Sequence, residues 1–482
     1  MKKKSMALNA FLNGLRGILS IIFPLVTFPY VSRILSVRGI GKYNFSNSYV
    51  SYFVLLASLG VSTYAVREGA KFRNNKRKIG QFASEVFTIN ICSTLVSYVL
   101  LFISLVAFIK LHSYLSCILI FSIQIFFTTI GTDWIYTIYE DYTYITIRSI
   151  AFKIISIILL FLLVKKPEDY LIYAAITVFS GVGSNLLNFI HARKFVYIKL
   201  TTQTNWRYHL KPVLVIFAST IAVTIYVSSD TTILGLLKSD YAVGIYSTSV
   251  KIYQIAQSLL SALLMVTIPR LAFLWGQRRL GEYNKVLSKV FNSLGILVLP
   301  VVVGLIMLSR EVILIIASEK YLPSVNSLRI ISWAIIFSIF SWIFSDCVLI
   351  PVKRENLVLR NTIVTAVENI VLNFILIPFM SYDGTSLSTV IAEFTVMIMN
   401  GYSCRDIIKS VILKKDTLKN LLDSIIGCVG IVIVCLLCNV SFSSLIFRTI
   451  LSVVFSIITY GAILILLKNK TVYSMLGRLL KK

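Results

Sequence analysis

Long apolar blocks separated by short polar breaks set the pattern of this chain. The segments FTINICSTLVSYVLLFISLVAFI (residues 87–109) and LIFRTILSVVFSIITYGAILILL (residues 445–467) carry one charged residue between them, Arg448. Each runs about 23 residues, and about 20 residues of helix cover a ~30 Å hydrocarbon core, so both are expected to be transmembrane helices. Windows of the same kind recur from a centre near Phe23 to one near Phe455 and predict about 14 spans. Those centred near Leu55, Tyr253 and Ala392 are the least apolar. The periods are helical, and the ten-residue alternating segments of a membrane β-barrel are absent. The expected fold class is an all-α polytopic membrane protein.

Composition agrees: 57% of residues are hydrophobic and 14% charged, where soluble chains carry roughly 25% charged residues. The opening MKKKS resembles the start of a signal peptide. The apolar segment behind it holds Asn13, Arg16 and Pro24 without a small-residue cleavage site, so it reads as a retained first helix. Cys435 and Cys438 form a C-x-x-C inside an apolar block and read as small buried hydrophobes.

The net charge of +27 would admit nucleic acid, but its placement argues against that. With an even number of spans both ends share a side. Roughly 33 of the Lys and Arg then fall on that side and about 9 on the other, which makes the N-terminal side cytoplasmic. Basic loops such as residues 67–78 and 192–200 are expected to orient the chain and to meet anionic lipids, with no nucleic acid as partner. The breaks on the outer side are a handful of residues each.

An internal repeat divides the chain. RILSVRGIGKYNFSNS near the first span resembles TILGLLKSDYAVGIYSTS near the seventh, and each carries a Gly-x-Tyr, Gly41 with Tyr43 and Gly244 with Tyr246. The division expected from it is a six-helix bundle over residues 1–205, a second over 206–410, and two further helices with a basic tail over 411–482. Repeated bundles are a common architecture of alternating-access transporters.

Ionisable residues inside spans cost at least ~2.5–3.5 kcal/mol each on insertion scales, so each needs a reason. Arg16 sits in helix 1, Arg33 near its end, Lys153 one or two turns inside helix 5, and Lys251 well within helix 8. Asp230 lies in the outer part of helix 7, and Glu368 and Glu393 near the middles of helices 11 and 12. For Arg33, Lys153 and Asp133 the favoured reading is pairing within packed helix contacts, as between Lys153 and Asp133. For Arg16, Lys251 and Glu368 it is a hydrated cavity. Runs of Asn, Ser and Thr on helices 2, 6 and 7 are either interhelical glue or the wall of a polar lumen. Pro24 and Pro29 are expected to bend helix 1. No H-E-x-x-H, phosphate-binding loop or G-x-S-x-G occurs, and the three His lie far apart. The chain is expected to be no enzyme, and to need no cofactor or metal.

One break is unusually acidic: GTDWIYTIYEDYTYITIR (residues 131–148) packs Asp133, Glu140 and Asp141 into a chain with 20 Asp and Glu against 47 Lys and Arg. Asp133, Trp134, Glu140, Asp141, the ITIR ending at Arg148, and the following Val164 and Lys165 resemble the helix 4 to helix 6 region of Wzx-type polysaccharide repeat-unit flippases. These belong to the multidrug/oligosaccharidyl-lipid/polysaccharide exporter superfamily. The segments at residues 23–70 and 226–254 agree, and the resemblance covers about the first 280 residues well. It implies two six-helix lobes around a central cavity plus two C-terminal helices, in a bacterial cytoplasmic membrane. The implied activity is movement of an undecaprenyl-diphosphate-linked oligosaccharide to the outer leaflet for capsule, O-antigen or teichoic-acid-like polymer, with other polysaccharide assembly proteins as expected partners. Arg16, Lys251, Lys153 and Arg33 would then line the diphosphate path, Asp230, Glu368 and Glu393 would be candidates for ion coupling, and the acidic break would bridge to basic loops and close a gate. A multidrug or cation antiporter of the same superfamily is the alternative, and a membrane polymerase or glycosyltransferase a more distant one.

Overall fold

The structure, a computed structural model, describes residues 22–412 and 414–479. Arg16 and the residues before Ile22 lie outside it. All regular elements among the described residues are helical. The chain divides after Gly244 into two compact units.

The first unit opens with α1 (Ile22–Ile34) and α2 (Val37–Ser58). Ser36 caps α2, its Oγ accepting the Gly39 N–H at 3.0 Å. Leu59 and Gly60 then both take left-handed φ, 45° and 70°, to turn into α3 (Val61–Gly69). After the basic break come α4 (Lys76–Ala107), α5 (Leu115–Gly131), the short α6 (Asp133–Ile138) and α7 (Tyr142–Leu163). The unit continues through α8 (Tyr170–Val182), α9 (Asn185–Ala192) and α10 (Trp206–Leu237). α2 is the hub, packing against α4, α5, α8 and α10. That packing explains where the unit ends. The expected boundary at 205/206 counted helices, whereas α10 is held to α2 by Ser51 to Ser228 at 3.1 Å and Tyr52 to Thr232 at 3.2 Å.

α11 (Asp240–Gly276) leads into the second unit, followed by α12 (Leu280–Met307), the short α13 (Ser309–Ile316) and α14 (Ser324–Trp342). α15 (Glu355–Ser403) is two helices joined at Ser381, whose φ of 51° and ψ of −129° are not helical. Asn361 bonds Asn400 at 2.9 Å and Asn373 accepts from Ser388 at 2.9 Å, so the arms fold back on each other antiparallel. Arg354 and Asp406 close the open end with two bonds of 2.8 and 2.7 Å. This guanidinium fork holds the Asp406 carboxyl below its usual range. After α16 (Arg405–Ile412) come α17 (Lys415–Ser441), α18 (Leu445–Leu466) and α19 (Lys470–Leu479). α17 packs on both α12 and α18, with Tyr460 of α18 donating to Ile296 O at 2.7 Å. Cys435 and Cys438 are buried in α17.

Among the described residues, twelve helical stretches are long and apolar enough to cross a bilayer. Counting the two arms of α15 separately and adding α1 gives the fourteen spans expected. Their outer faces are apolar, as at Phe102 and Ile457, both 67% exposed, while many Ser, Thr and Asn point inward. This is the arrangement that hydrocarbon solvent demands.

The Gly-x-Tyr repeat has a structural meaning. Gly41, in the first turn of α2, lies against the backbone of Asp240, and Gly244, in the first turn of α11, lies against the backbone of Val37. Val37 and Asp240 are themselves the first residues of those two helices. The tyrosines repeat as well: Tyr43 donates to Thr177 at 3.2 Å, and Tyr246 pairs with Thr389 at 3.3 Å.

Candidate functional site

The acidic break is built around α6. Thr132 before it and Glu140 after it both sit at left-handed φ, 44° and 57°, a conformation that non-glycine residues adopt at a cost. Packing repays that cost. Trp134, 4% exposed, and Tyr136 join a core with Val61, Tyr64, Phe82 and Ile145. Tyr136 donates to Asn188 O at 2.6 Å. Gly131 leaves room for Asn185, which a Cβ there would meet at 2.7 Å.

The charges of this break play two different parts. Asp133 accepts from the Asn188 amide and lies 3.8 Å from the Arg148 guanidinium. Arg148, 8% exposed, donates to Ser184 O at 3.2 Å. These contacts pin α6 and α7 to the α8–α9 region. Glu140 reaches the basic break instead, at 2.7 Å from Arg73. That pair is half-exposed, and such surface bridges contribute about 0–1 kcal/mol. It can therefore break and reform, whereas the Asp133 network holds the break in shape. Asp141 sits at the start of α7, its N–H bonded to Tyr136 O at 2.9 Å.

The intramembrane charges are distributed over both units. Arg33 is exposed at the end of α1. Lys153 lies half-buried and about three turns into α7, nearer its middle than expected, because the helix starts at Tyr142. Asp230, 6% exposed, belongs to the first unit. In the second unit Lys251 is half-buried on α11, and Glu393, 8% exposed, lies on the second arm of α15. Glu368, on the first arm, accepts from Thr395 at 2.9 Å through Oε1, while its buried Oε2 has no hydrogen-bond partner.

A family profile described as "Polysaccharide biosynthesis protein" matches residues 6–275, more than half of the chain. The chain belongs to that family. Among curated relatives, "Putative O-antigen transporter" of Shigella dysenteriae is 23% identical over 78% of this chain and 94% of its own length. "Capsular polysaccharide biosynthesis protein CapF" of Staphylococcus aureus is 22% identical over 80% of this chain and 96% of its own. The fold is that of the lipid II flippase MurJ in its inward closed conformation, with TM-score 0.74 at 16% identity over 99% of this chain and 100% of that one. An inward-facing multidrug resistance MATE family transporter of the MOP superfamily follows with TM-score 0.61 at 14% identity, over 84% of this chain and 99% of that one. This family member is a multi-pass membrane protein.

Within the family-matched region lies a buried trio that the sequence reading did not assemble. His209, 2% exposed, places Nε2 at 2.9 Å from the Glu85 carboxylate and Nδ1 at 2.7 Å from the Tyr64 hydroxyl. Glu85 also accepts from Gln81 at 3.0 Å and from the Asn205 N–H at 3.3 Å. The trio ties the start of α10 to α3 and α4. Its one signal in the sequence is a lone acid, Glu85, early in an otherwise apolar helix. A second pair, Glu311 and Arg448 at 2.7 Å, joins α13 to α18 and accounts for the charge noted within residues 445–467.

Proposed function

We propose that this protein is a flippase that carries undecaprenyl-diphosphate-linked oligosaccharide repeat units from the cytoplasmic to the outer leaflet for surface polysaccharide assembly. The observation that carries the reading is the family match together with a relative named as an O-antigen transporter, 94% of whose length this chain covers. The fold it shares with a lipid II flippase supports it. The protein acts without bond chemistry of its own. An inside-negative potential favours outward movement of phosphate by ~2.3 kcal/mol per charge per 100 mV, which supplies direction without ATP. Deleting the gene should deplete surface polymer and accumulate lipid-linked repeat units inside the cell, and the wild-type gene should reverse both. A deletion strain with normal polymer and no accumulation would remove the reading. The MATE neighbour's fold keeps a drug or cation antiporter as the second reading, and proton-driven efflux of organic cations from vesicles would favour it.

In the proposed cycle Arg16 holds the diphosphate, with Lys251, Lys153 and Arg33 along its path. A guanidinium fork grips phosphate oxygens bidentately where an ammonium acts as a point charge. Arg16→Ala is accordingly expected to cut export sharply at unchanged protein level, and Arg16→Lys to keep part of it. Wild-type export by both variants would sink the assignment. Glu368 is the first candidate for ion coupling, ahead of Asp230 and Glu393, because its second carboxylate oxygen is unsatisfied. Glu368→Gln is expected to remove the dependence of export on an imposed ion gradient, and a variant that responds like wild type would discard that role.

The protein is proposed to sit in the bacterial cytoplasmic membrane with both termini inside, meeting anionic lipids at its basic loops and other assembly proteins at its surface. Reporters fused within residues 71–78 and at the C-terminus should both register the cytoplasm, and one after Lys166 the outside. A reversed signal at any of the three would overturn that orientation.

A further inference from the structure

At one end of the second unit, α12, α17 and α19 enclose a polar cavity of about 240 Å³. Its two long walls are single helix faces at i, i+3, i+4 and i+7: residues 285 to 292 on α12 and residues 416 to 423 on α17. Helices that pack only for stability would place apolar or small side chains on such faces. Here they carry Lys285, Lys289 and Lys419.

The carboxylates of the cavity are already engaged. Asp416 pairs with Lys470 at 2.8 Å, and Asp423 accepts from Asn469 at 2.8 Å. Lys419 donates to the Leu467 carbonyl at 3.3 Å, which leaves its charge uncompensated. Lys285 and Lys289 have no ion pair among the described residues. The third wall is the N-terminus of α19, where Asn469 Oδ1 caps the Thr471 and Val472 N–H groups at 3.1 and 3.2 Å. Helix N-termini favour anions. The four lysines of the lining, Lys285, Lys289, Lys419 and Lys470, outnumber its two carboxylates, Asp416 and Asp423, so the cavity carries a net charge of +2 beside a capped helix N-terminus.

A second feature describes the other end of the ligand. Asn420 lines the cavity, is 3% exposed, and its Oδ1 has no hydrogen-bond partner. Asn292, also in the lining, has the same orphaned oxygen. Both are acceptors that require a donor. Beside this face α17 turns outward an exposed apolar ridge, Leu418, Leu422 and Ile426. A phosphate on the lysines, a donor toward the asparagines and an apolar track alongside are the parts of a phospholipid.

We propose that this cavity binds a phosphodiester head group whose far end donates hydrogen bonds, as the glycerol hydroxyls of phosphatidylglycerol do, with the acyl chains along the Leu418–Leu422–Ile426 ridge. The site is separate from the proposed transport path and stands whether or not the chain is a flippase.

Thermal unfolding of the purified full chain in detergent tests it, with short-chain phosphatidylglycerol, short-chain phosphatidylcholine and glycerol 3-phosphate as probes. A ligand that binds the folded state raises the unfolding midpoint. Phosphatidylglycerol should raise it for wild type and for Lys165→Gln/Lys166→Gln, which removes exposed charge away from the cavity and from the basic loops. It should lose most of that effect on Lys285→Gln/Lys289→Gln/Lys419→Gln. Phosphatidylcholine, whose head cannot donate, should have little effect on any of them. An equal, lysine-dependent shift with glycerol 3-phosphate would keep the site and make its occupant a soluble phosphate. The proposal fails if the pocket variant keeps the shift, if the two lipids act alike, or if no probe shifts the wild type.

Discussion

Replacing Glu85 with alanine should destabilise the folded protein by about 1–3 kcal/mol, the cost of leaving buried hydrogen-bonding partners unsatisfied. The carboxylate is 7% exposed and accepts bonds from three groups, so its loss strands the His209 ring, the Gln81 amide and the Asn205 N–H together. The His209 ring, 2% exposed, regains no water without opening the start of α10. The His209 side is more forgiving, because with Nε2 donating to the carboxylate, Nδ1 either accepts from Tyr64 or donates to it as the hydroxyl turns. Glu85→Gln keeps the shape and one acceptor and should cost less than half as much. Denaturant or thermal unfolding in detergent, read by tryptophan fluorescence, measures both. An alanine variant as stable as the wild type would mean that the trio contributes little.

Gly244→Val is expected to leave almost no folded protein. A Cβ at this position would run into the Val37 carbonyl oxygen and come within 2.8 Å of Val37 Cγ1. Overpacking against side chains costs roughly 1–3 kcal/mol because they can turn aside, but a backbone carbonyl inside a helix has nowhere to turn. Gly41→Val should behave alike, through the Asp240 backbone. Gly461→Val is the control, since nothing lies within 4 Å of its added Cβ, and valine is the better helix former there. The comparison is read as the monodisperse peak after extraction. Equal peaks for Gly244→Val and Gly461→Val would refute the close approach.

How far the sequence reveals this molecule depends on the range of each interaction. The spans were legible because solvent acts on every residue of a helix, and even the pair centred near Asn369 and Ala392 was separable although only the bend at Ser381 divides them. The Gly-x-Tyr repeat was legible because its residue types are forced by contact: glycine where two backbones meet, tyrosine where a hydroxyl is bonded. Lys153 was placed too near its helix end because charge alone gives no boundary. The trio was illegible, since Glu85 and His209 stand 124 positions apart and only folding joins them. Of the acidic break, the residues were evident but the division of labour was not. Asp133 looks inward and Glu140 outward because left-handed residues, Thr132 and Glu140, turn the chain at the two ends of α6.

A chain threaded into a bilayer one helix at a time would meet a difficulty at residues 355–403. Either arm alone would leave the Asn361 amide nitrogen without its acceptors, or the Asn373 and Asn400 amide oxygens without these donors. Together they answer one another, across Asn361 to Asn400 and Ser388 to Asn373, and Thr395 does the same for Glu368. The turn that must cross is short, centred on Ser381, and the two ends remain at one face where Arg354 meets Asp406. Biogenesis is therefore expected to treat this stretch as one object: the first arm waits at the translocon for the second, and the pair enters the lipid as a preformed hairpin.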